Sequence, residues 1–220
     1  GQQAKRNNSN TPSFTPRGNY GGSNMLQDLK QQNVAKFNEI ESQFVNKWTH
    51  ATKRKPQVVS IIALINPQLT NKFESYRKSV IQARGNSLSV HGKGGPGNTH
   101  RRFHGTTQLC SLGVNNSLQL CNHSNCAVCR ICESGWKINL SGSNTGFGRF
   151  GKGIYFTSTS SKSDDYNNKS SIGNGLRSMF VAHVVVGNGY KSNVDLPNLV
   201  SPPQGYDSVL GEVGNSLNYD

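Results

Sequence analysis

The sequence predicts an α+β domain carried behind a polar tail. Three observations lead there. Two stretches have apolar residues at helical spacing, residues 25–50 and 67–83. Two runs are β-branched and nearly all apolar, Val58–Ile65 and Met179–Val186, as buried strands are. Between them lie long Gly-, Asn- and Ser-rich connections, which fits 24 glycines in 220 residues. A chain of this length is large enough for one substantial core.

Residues 1–24 are Asn, Ser, Gly, Gln and Thr with two prolines, too polar to offset their ordering entropy, and are expected to be a disordered tail. Residues 25–220 are expected to be one domain. Met25, Leu26, Leu29, Val34, Phe37, Ile40, Phe44, Val45 and Trp48 predict a packing helix over 25–50, with Trp48 in the core. Pro56 closes that region, because proline cannot continue a helix. The Val58–Ile65 strand ends at Asn66-Pro67, and the same pair starts the next helix, Asn66 as cap and Pro67 in its first turn. A loop over 85–97 follows, with His91 and His100 near its ends and no role assigned to either.

Residues 101–106 form a short strand ending in a His-Gly-Thr turn. The insert 110–135 is Cys-rich. Residues 146–151 lead into a strand at Ile154-Tyr155-Phe156. Ser158 to Tyr166 is a helix start, with Asp164 and Asp165 expected in its first turns, where negative charge is favoured. Met179–Val186 includes His183, expected as an ordinary sheet residue. Residues 187–207 read as loop and Tyr206–Glu212 as another strand.

The bulk numbers narrow the function. Lys plus Arg number 24 against 11 Asp plus Glu, a net charge of +13, which attracts polyanions such as DNA or RNA. No apolar run reaches the roughly 18 to 20 residues needed to span a bilayer, and the first twenty residues carry no apolar leader. All five cysteines fall between 110 and 132, unlike a distributed disulfide framework; this predicts a reducing compartment and a local metal or thiol cluster. The spacing is Cys110-x10-Cys121-x4-Cys126-x2-Cys129-x2-Cys132, with His123 inside it. Zinc takes four thiolate or imidazole ligands in a tetrahedron, so Cys110, Cys121, Cys126 and Cys129 are the expected set for a structural Zn2+. Substitution of one member by His123 or Cys132 is the main variant, and reduced buried cysteines are the alternative.

Arg101-Arg102-Phe103-His104-Gly105-Thr106, Phe150-Gly151-Lys152-Gly153-Ile154-Tyr155-Phe156 and Ser161-Lys162-Ser163-Asp164-Asp165-Tyr166 carry the chemistry. They offer a histidine at a strand end, glycines that admit a ligand close to backbone, two tyrosines and a small hydroxyl. Such a set suits a planar aromatic amide on a ribose. In this order the three segments resemble the catalytic region of the poly(ADP-ribose) polymerase family: a strand with His-Gly-Ser/Thr, then Gly-x-Gly-[Ile/Leu]-Tyr-Phe, then Ser-Lys-Ser/Ala-x-x-Tyr. The Cys-rich insert is closest in style to fungal-type members.

The resemblance implies the ADP-ribosyltransferase fold, a split antiparallel β-sheet with peripheral helices, and NAD+ as substrate. It implies that His104 bonds the adenosine ribose, that the Gly105 backbone and Ser163 hold the nicotinamide carboxamide, and that Tyr155 and Tyr166 face the nicotinamide ring. Thr106 completes the turn, and Lys162 lies toward the pyrophosphate or acceptor. His104 and Tyr155 are the expected catalytic residues of an enzyme that transfers ADP-ribose to a protein or nucleic-acid acceptor. A nuclear or cytoplasmic location follows from the cysteines and the family together. The family's glutamate follows a Leu-x-Tyr-x segment. Leu217-Asn218-Tyr219-Asp220 matches it, so the carboxylate position and the last strand would come after Asp220. Glu212 and Asp220 are the nearest carboxylates before that position, and neither is assigned the role. Two other readings remain open at this point: a catalytically silent NAD+ or ADP-ribose binding module, and a basic zinc-containing nucleic-acid-binding domain.

Overall fold

The computed structural model describes residues 25–85, 94–141, 148–167 and 176–213. The tail 1–24, the loop around His91, Gly146-Phe147 and Leu217–Asp220 lie outside the described residues.

The stretch expected as one helix from residue 25 is a strand followed by two helices. Met25–Asp28 is β1, Leu29–Gln32 is α1 and Val34–Asn46 is α2. The reason is capping. Asp28 accepts a hydrogen bond from the Lys30 amide, and Asn33 accepts one from the Lys36 amide. Each competes with the helix backbone and restarts it, as short polar side chains do. Met25-Leu26-Gln27 is then free to pair with β2, Ile62–Ile65, antiparallel in the register Met25↔Ile65 to Asp28↔Ile62. The expected strand over 58–65 is therefore a four-residue ladder. Helix α3, Pro67–Arg84, starts and ends as its sequence predicts: Asn66 accepts from the Leu69 amide, Pro67 sits in the first turn, and Gly85 closes the helix at φ +80°.

β3, Thr99–Gly105, pairs antiparallel with β4, Met179–Val185, from Thr99↔Val185 to Gly105↔Met179. This is the longest ladder among the described residues, and it carries the His-Gly turn at its end. Phe103, at its middle, is fully buried and meets Phe44 of α2 edge-on at 6.2 Å. Trp48 is buried beside Phe44, as expected, and donates its indole N–H to the Lys53 carbonyl.

Three further expectations are corrected. Ile154–Phe156 is extended without forming a strand; the amides and carbonyls of Phe103 and Thr157 pair in one isolated bridge. The Tyr155 carbonyl accepts from the His104 ring and not from a neighbouring strand. Within the expected loop 187–207, Gly189–Ser192 is β5. It runs parallel to β6, Ser208–Gly211, so of the three two-stranded sheets among the described residues two are antiparallel and one is parallel. Residues 193–207 supply the long connection that parallel pairing requires. The insert contains an unforeseen helix, α4, Ala127–Ser134, followed by a short 3₁₀ turn at Ile138–Leu140.

Candidate functional site

The site forms where the end of β3 meets α5, Ser160–Asp164. Helix α5 is short, and the end of α2 holds it. The Ser160 hydroxyl donates to the Phe44 carbonyl, the Ser160 amide donates to the Lys47 carbonyl, and the Thr49 amide donates to the Ser161 hydroxyl. The two acidic residues lie at its C-terminal end and not in its first turn, so the helix dipole does not hold them. Cations do. Asp164 is buried and pairs with Arg177 at 2.8 Å, with Lys53 at 3.9 Å; Lys53 also pairs with Asp165.

Gly105 explains how closely β3 and α5 approach. A Cβ at this position would overlap the Ser163 carbonyl oxygen and sit 3.1 Å from the Asn167 side-chain oxygen. Only glycine fits. Beside it, Ser163 Oγ and Asn167 Oδ1 are buried and have no hydrogen-bond partner among the described residues. Ser163 is 1 % exposed and Asn167 2 %. Buried polar atoms are normally satisfied, so two unpartnered ones against the same glycine are a place where a polar ligand group fits. Thr106, next along the turn, is buried, and Lys162 is half-buried beside Ser163 on α5.

His104 closes the other side. Its Nδ1–H donates to the Tyr155 carbonyl at 2.7 Å, since a carbonyl can only accept. Burial pushes the His104 pKa down, partly opposed by that hydrogen bond, so the ring is neutral and Nε2 presents a lone pair. The Trp136 ring stands edge-on to His104 at 4.6 Å, and Phe156 lies at 5.5 Å. Trp136 also meets Phe156 at 5.0 Å and Phe180 at 5.2 Å, which completes an aromatic box.

Tyr155 and Tyr166 are 39 % and 52 % exposed, so both rings have face to offer. The Tyr155 hydroxyl donates to the Gly151 carbonyl at 2.6 Å and accepts from the Phe150 amide. Burial raises its pKa, with a smaller push from the nearby Tyr166 phenol, so it stays a donor. Gly151 itself has φ +70°, and a Cβ there would overlap the Leu199 backbone.

The structure thus brings His104, Gly105, Ser163 and Tyr155 into one locality. Trp136, Asn167 and Arg177 belong to it or brace it, and the sequence reading passed over all three. A tryptophan directly after a glycine, one residue past the Cys-rich insert, is the available signal for Trp136.

The Sγ atoms of Cys110, Cys121, Cys126 and Cys129 lie within 4.8 Å of one another. The Cys110–Cys129 and Cys110–Cys126 separations are 3.5 and 3.8 Å. Tetrahedral Zn–S bonds of about 2.3 Å put sulfur atoms about 3.8 Å apart, so the spacing fits that ion. It is too long for disulfides, and all five cysteines are free thiols. The Leu109 amide donates to Cys126 Sγ and the Cys121 amide to Cys129 Sγ, contacts that orient thiolate ligands. Of the variant ligands, His123 is exposed with its Nδ1 accepting from the Asn125 amide, and Cys132 lies outside the group of four. Burial pushes the Cys132 thiol up to about 12.

A family model described as the poly(ADP-ribose) polymerase catalytic domain matches residues 35–217. Three relatives named protein mono-ADP-ribosyltransferase PARP3 match shorter segments. The mouse protein is 44 % identical over 64 residues, the human one 45 % over 64, and the chicken one 50 % over 62. These matches cover 29, 29 and 28 % of this chain but only 12, 12 and 11 % of the relatives' own length.

Proposed function

The chain belongs to the poly(ADP-ribose) polymerase catalytic-domain family, and we propose that it transfers ADP-ribose from NAD+ to a macromolecular acceptor, releasing nicotinamide. The observation that carries the reading is the pair of unpartnered buried polar atoms, Ser163 Oγ and Asn167 Oδ1, against Gly105. A carboxamide brings both a donor and an acceptor to such a place. The Gly105 backbone and Ser163 hold the amide; Tyr155 and Tyr166 flank the ring, where offset stacking is favoured. Neutral His104 accepts from a ribose hydroxyl at Nε2 because Nδ1–H is committed to Tyr155. Thr106 supports the turn, and Lys162 is the cation nearest the anionic part of the dinucleotide.

The bond to be broken joins ribose to nicotinamide. It cleaves through an oxocarbenium-like state, as in glycoside hydrolysis. Rigid positioning of both the leaving group and the ribose lowers that barrier by orientation. A carboxylate suits the tasks of stabilising the positive charge and polarising the acceptor, and none of the described carboxylates is assigned to them. The relatives' name, protein mono-ADP-ribosyltransferase, supports a protein acceptor and a single transferred unit. The net charge of +13 supports DNA or RNA as an activator or alternative acceptor. The four-cysteine cluster holds a structural Zn2+: four protein ligands leave no position open for chemistry.

The test is nicotinamide release from NAD+ with protein, DNA or RNA acceptors. It is run on these 220 residues, on a chain continued past Asp220, and on His104→Ala. Release that the substitution abolishes is the expected result. NAD+ binding without release from either form would make the domain a silent binding module. Nucleic-acid binding that survives His104→Ala and Tyr155→Ala, with no NAD+ binding, would overturn the reading.

A further inference from the structure

We propose that the four-cysteine cluster and Trp136 form one positioning device for the dinucleotide site: metal held by Cys110, Cys121, Cys126 and Cys129 fixes the Trp136 indole against His104. This rests on the site reading above and assigns Trp136 a role in it.

The argument follows the chain. β3 delivers His104 and Gly105, and five residues after Gly105 comes Cys110, the first sulfur of the cluster. The chain returns through Cys126, which caps α4, and Cys129 within α4. Two residues beyond the end of α4 stands Trp136, whose ring lies 4.6 Å from His104. The path from His104 out to the cluster and back through α4 to Trp136 is a closed loop, and the metal is its clasp.

Hydrogen bonds between the β3 exit and α4 gather at that clasp. Val128 donates its amide to the Thr107 carbonyl and Leu109 donates to Cys126 Sγ. Gln108, buried, donates to the carbonyls of Cys110 and Leu112 and so shapes the loop that presents Cys110. Val128, Cys129 and Cys132 are the buried face of α4. Gly135 then ends the helix at φ +74°, where a Cβ would sit 2.9 Å from Leu69, so the turn into Trp136 is set by close packing on α3.

Metal-free thiols are weak hydrogen-bonding groups, and four of them hold α4 far less firmly than four metal–thiolate bonds. His104 is fixed at Nδ1 by Tyr155, and its ring plane is bounded by Trp136 and Phe156. A Trp136 that swings away leaves the ring free to tilt, and Nε2 loses its aim. Trp136 is thus a positioning residue that acts through His104.

The chain has two tryptophans, so Trp48→Phe leaves Trp136 as the sole indole reporter. In that background three quantities are read: zinc per chain, Trp136 emission, and NAD+ affinity by calorimetry, before and after a high-affinity chelator and after zinc is restored. One zinc per chain, a red-shifted emission on chelation and an NAD+ Kd raised about tenfold, all reversed by zinc, are expected. Trp136→Ala and Trp136→Phe are measured with zinc bound. Both should retain the metal; the alanine form should bind NAD+ about tenfold more weakly, and phenylalanine should recover part of the loss. These variants decide the question even if the metal-free chain unfolds. Absence of bound zinc overturns this proposal and leaves the site reading standing, as does NAD+ affinity indifferent to Trp136→Ala. Zinc-loaded protein that binds no NAD+ overturns both.

Discussion

His104 is neutral because burial disfavours its charged form. A histidine whose folded pKa is lowered binds protons less readily than in the unfolded chain, which titrates near 6.5. Stability is therefore unaffected at high pH and falls as pH drops through 6.5 toward the lower folded value. His183, on the exposed face of β4, adds to the same trend: burial first, then the cations Arg101, Lys36 and Arg77, lower its pKa. Melting temperature should be level from pH 8 to 7 and decline below 6.5. NAD+ affinity should hold to a more acid pH than free imidazole would allow, because Nε2 is protonated later. An NAD+ affinity that instead falls by half at 6.5 would show an unperturbed His104. Ser163 gives the opposite signature. Its hydroxyl satisfies nothing in the folded chain, so Ser163→Ala should leave stability within about 0.5 kcal/mol. It should still weaken NAD+ binding about tenfold, one lost hydrogen bond. Calorimetry of folding and of binding on one variant separates the two. At this scale the sequence was readable where identity implies geometry: His104, Gly105 and Ser163 sit in recognisable tripeptides. It was silent on Asn167 and Trp136, whose placement beside Gly105 and His104 depends on where α5 and α4 end.

Elements were legible when their signals did not conflict. Asn66-Pro67 marks the start of α3 and Gly85 its end, and the structure follows both. Residues 25–50 carried a helical period and, superposed on it, Asp28 and Asn33, whose side chains cap rather than continue a helix; local hydrogen bonding won. The Ile154–Phe156 segment reads as a strand by composition, yet pairing next to it is limited to the isolated Phe103–Thr157 bridge. Gly105→Ala tests the contact between β3 and α5. The added methyl has nowhere to go but into the Ser163 backbone, so a loss at or above about 1–3 kcal/mol is expected, by urea denaturation. Arg177→Ala tests how α5 is closed off. It leaves the buried Asp164 carboxylate with Lys53 alone at 3.9 Å. Because Arg177 is itself half exposed, about 1 kcal/mol is expected. A neutral result would show that Lys53 moves in to replace it.

For the molecule as a whole, the fold class was readable as α+β, but its parallel pair was not, since Gly189–Ser192 has neither the length nor the β-branched composition of a strand. The centre of the core was readable only as a spacing. Cys121, Cys126, Cys129 and Cys132 with Val128 form the buried cluster, packed against Leu64, Leu109, Leu112, Leu120 and Phe180. With the zinc proposed for this cluster, a core centred on sulfur is expected to depend on metal for its stability. Chelation should lower the melting temperature by roughly 10 °C, about 3–5 kcal/mol for a domain of this size. Cys126→Ser should reproduce the loss and abolish the response to chelator. Among the described residues no helix is long and apolar enough to cross a membrane.

The ladder that carries His104 joins residue 99 to residue 185, whereas the four sulfur atoms come from residues 110 to 129. Contacts close in sequence form early, and distant strand pairing forms late. During synthesis residues 110–129 emerge before β4 does, so the cysteine cluster is expected to assemble ahead of the β3–β4 ladder. The order expected is the wall beside the histidine first and the strand that fixes its floor second.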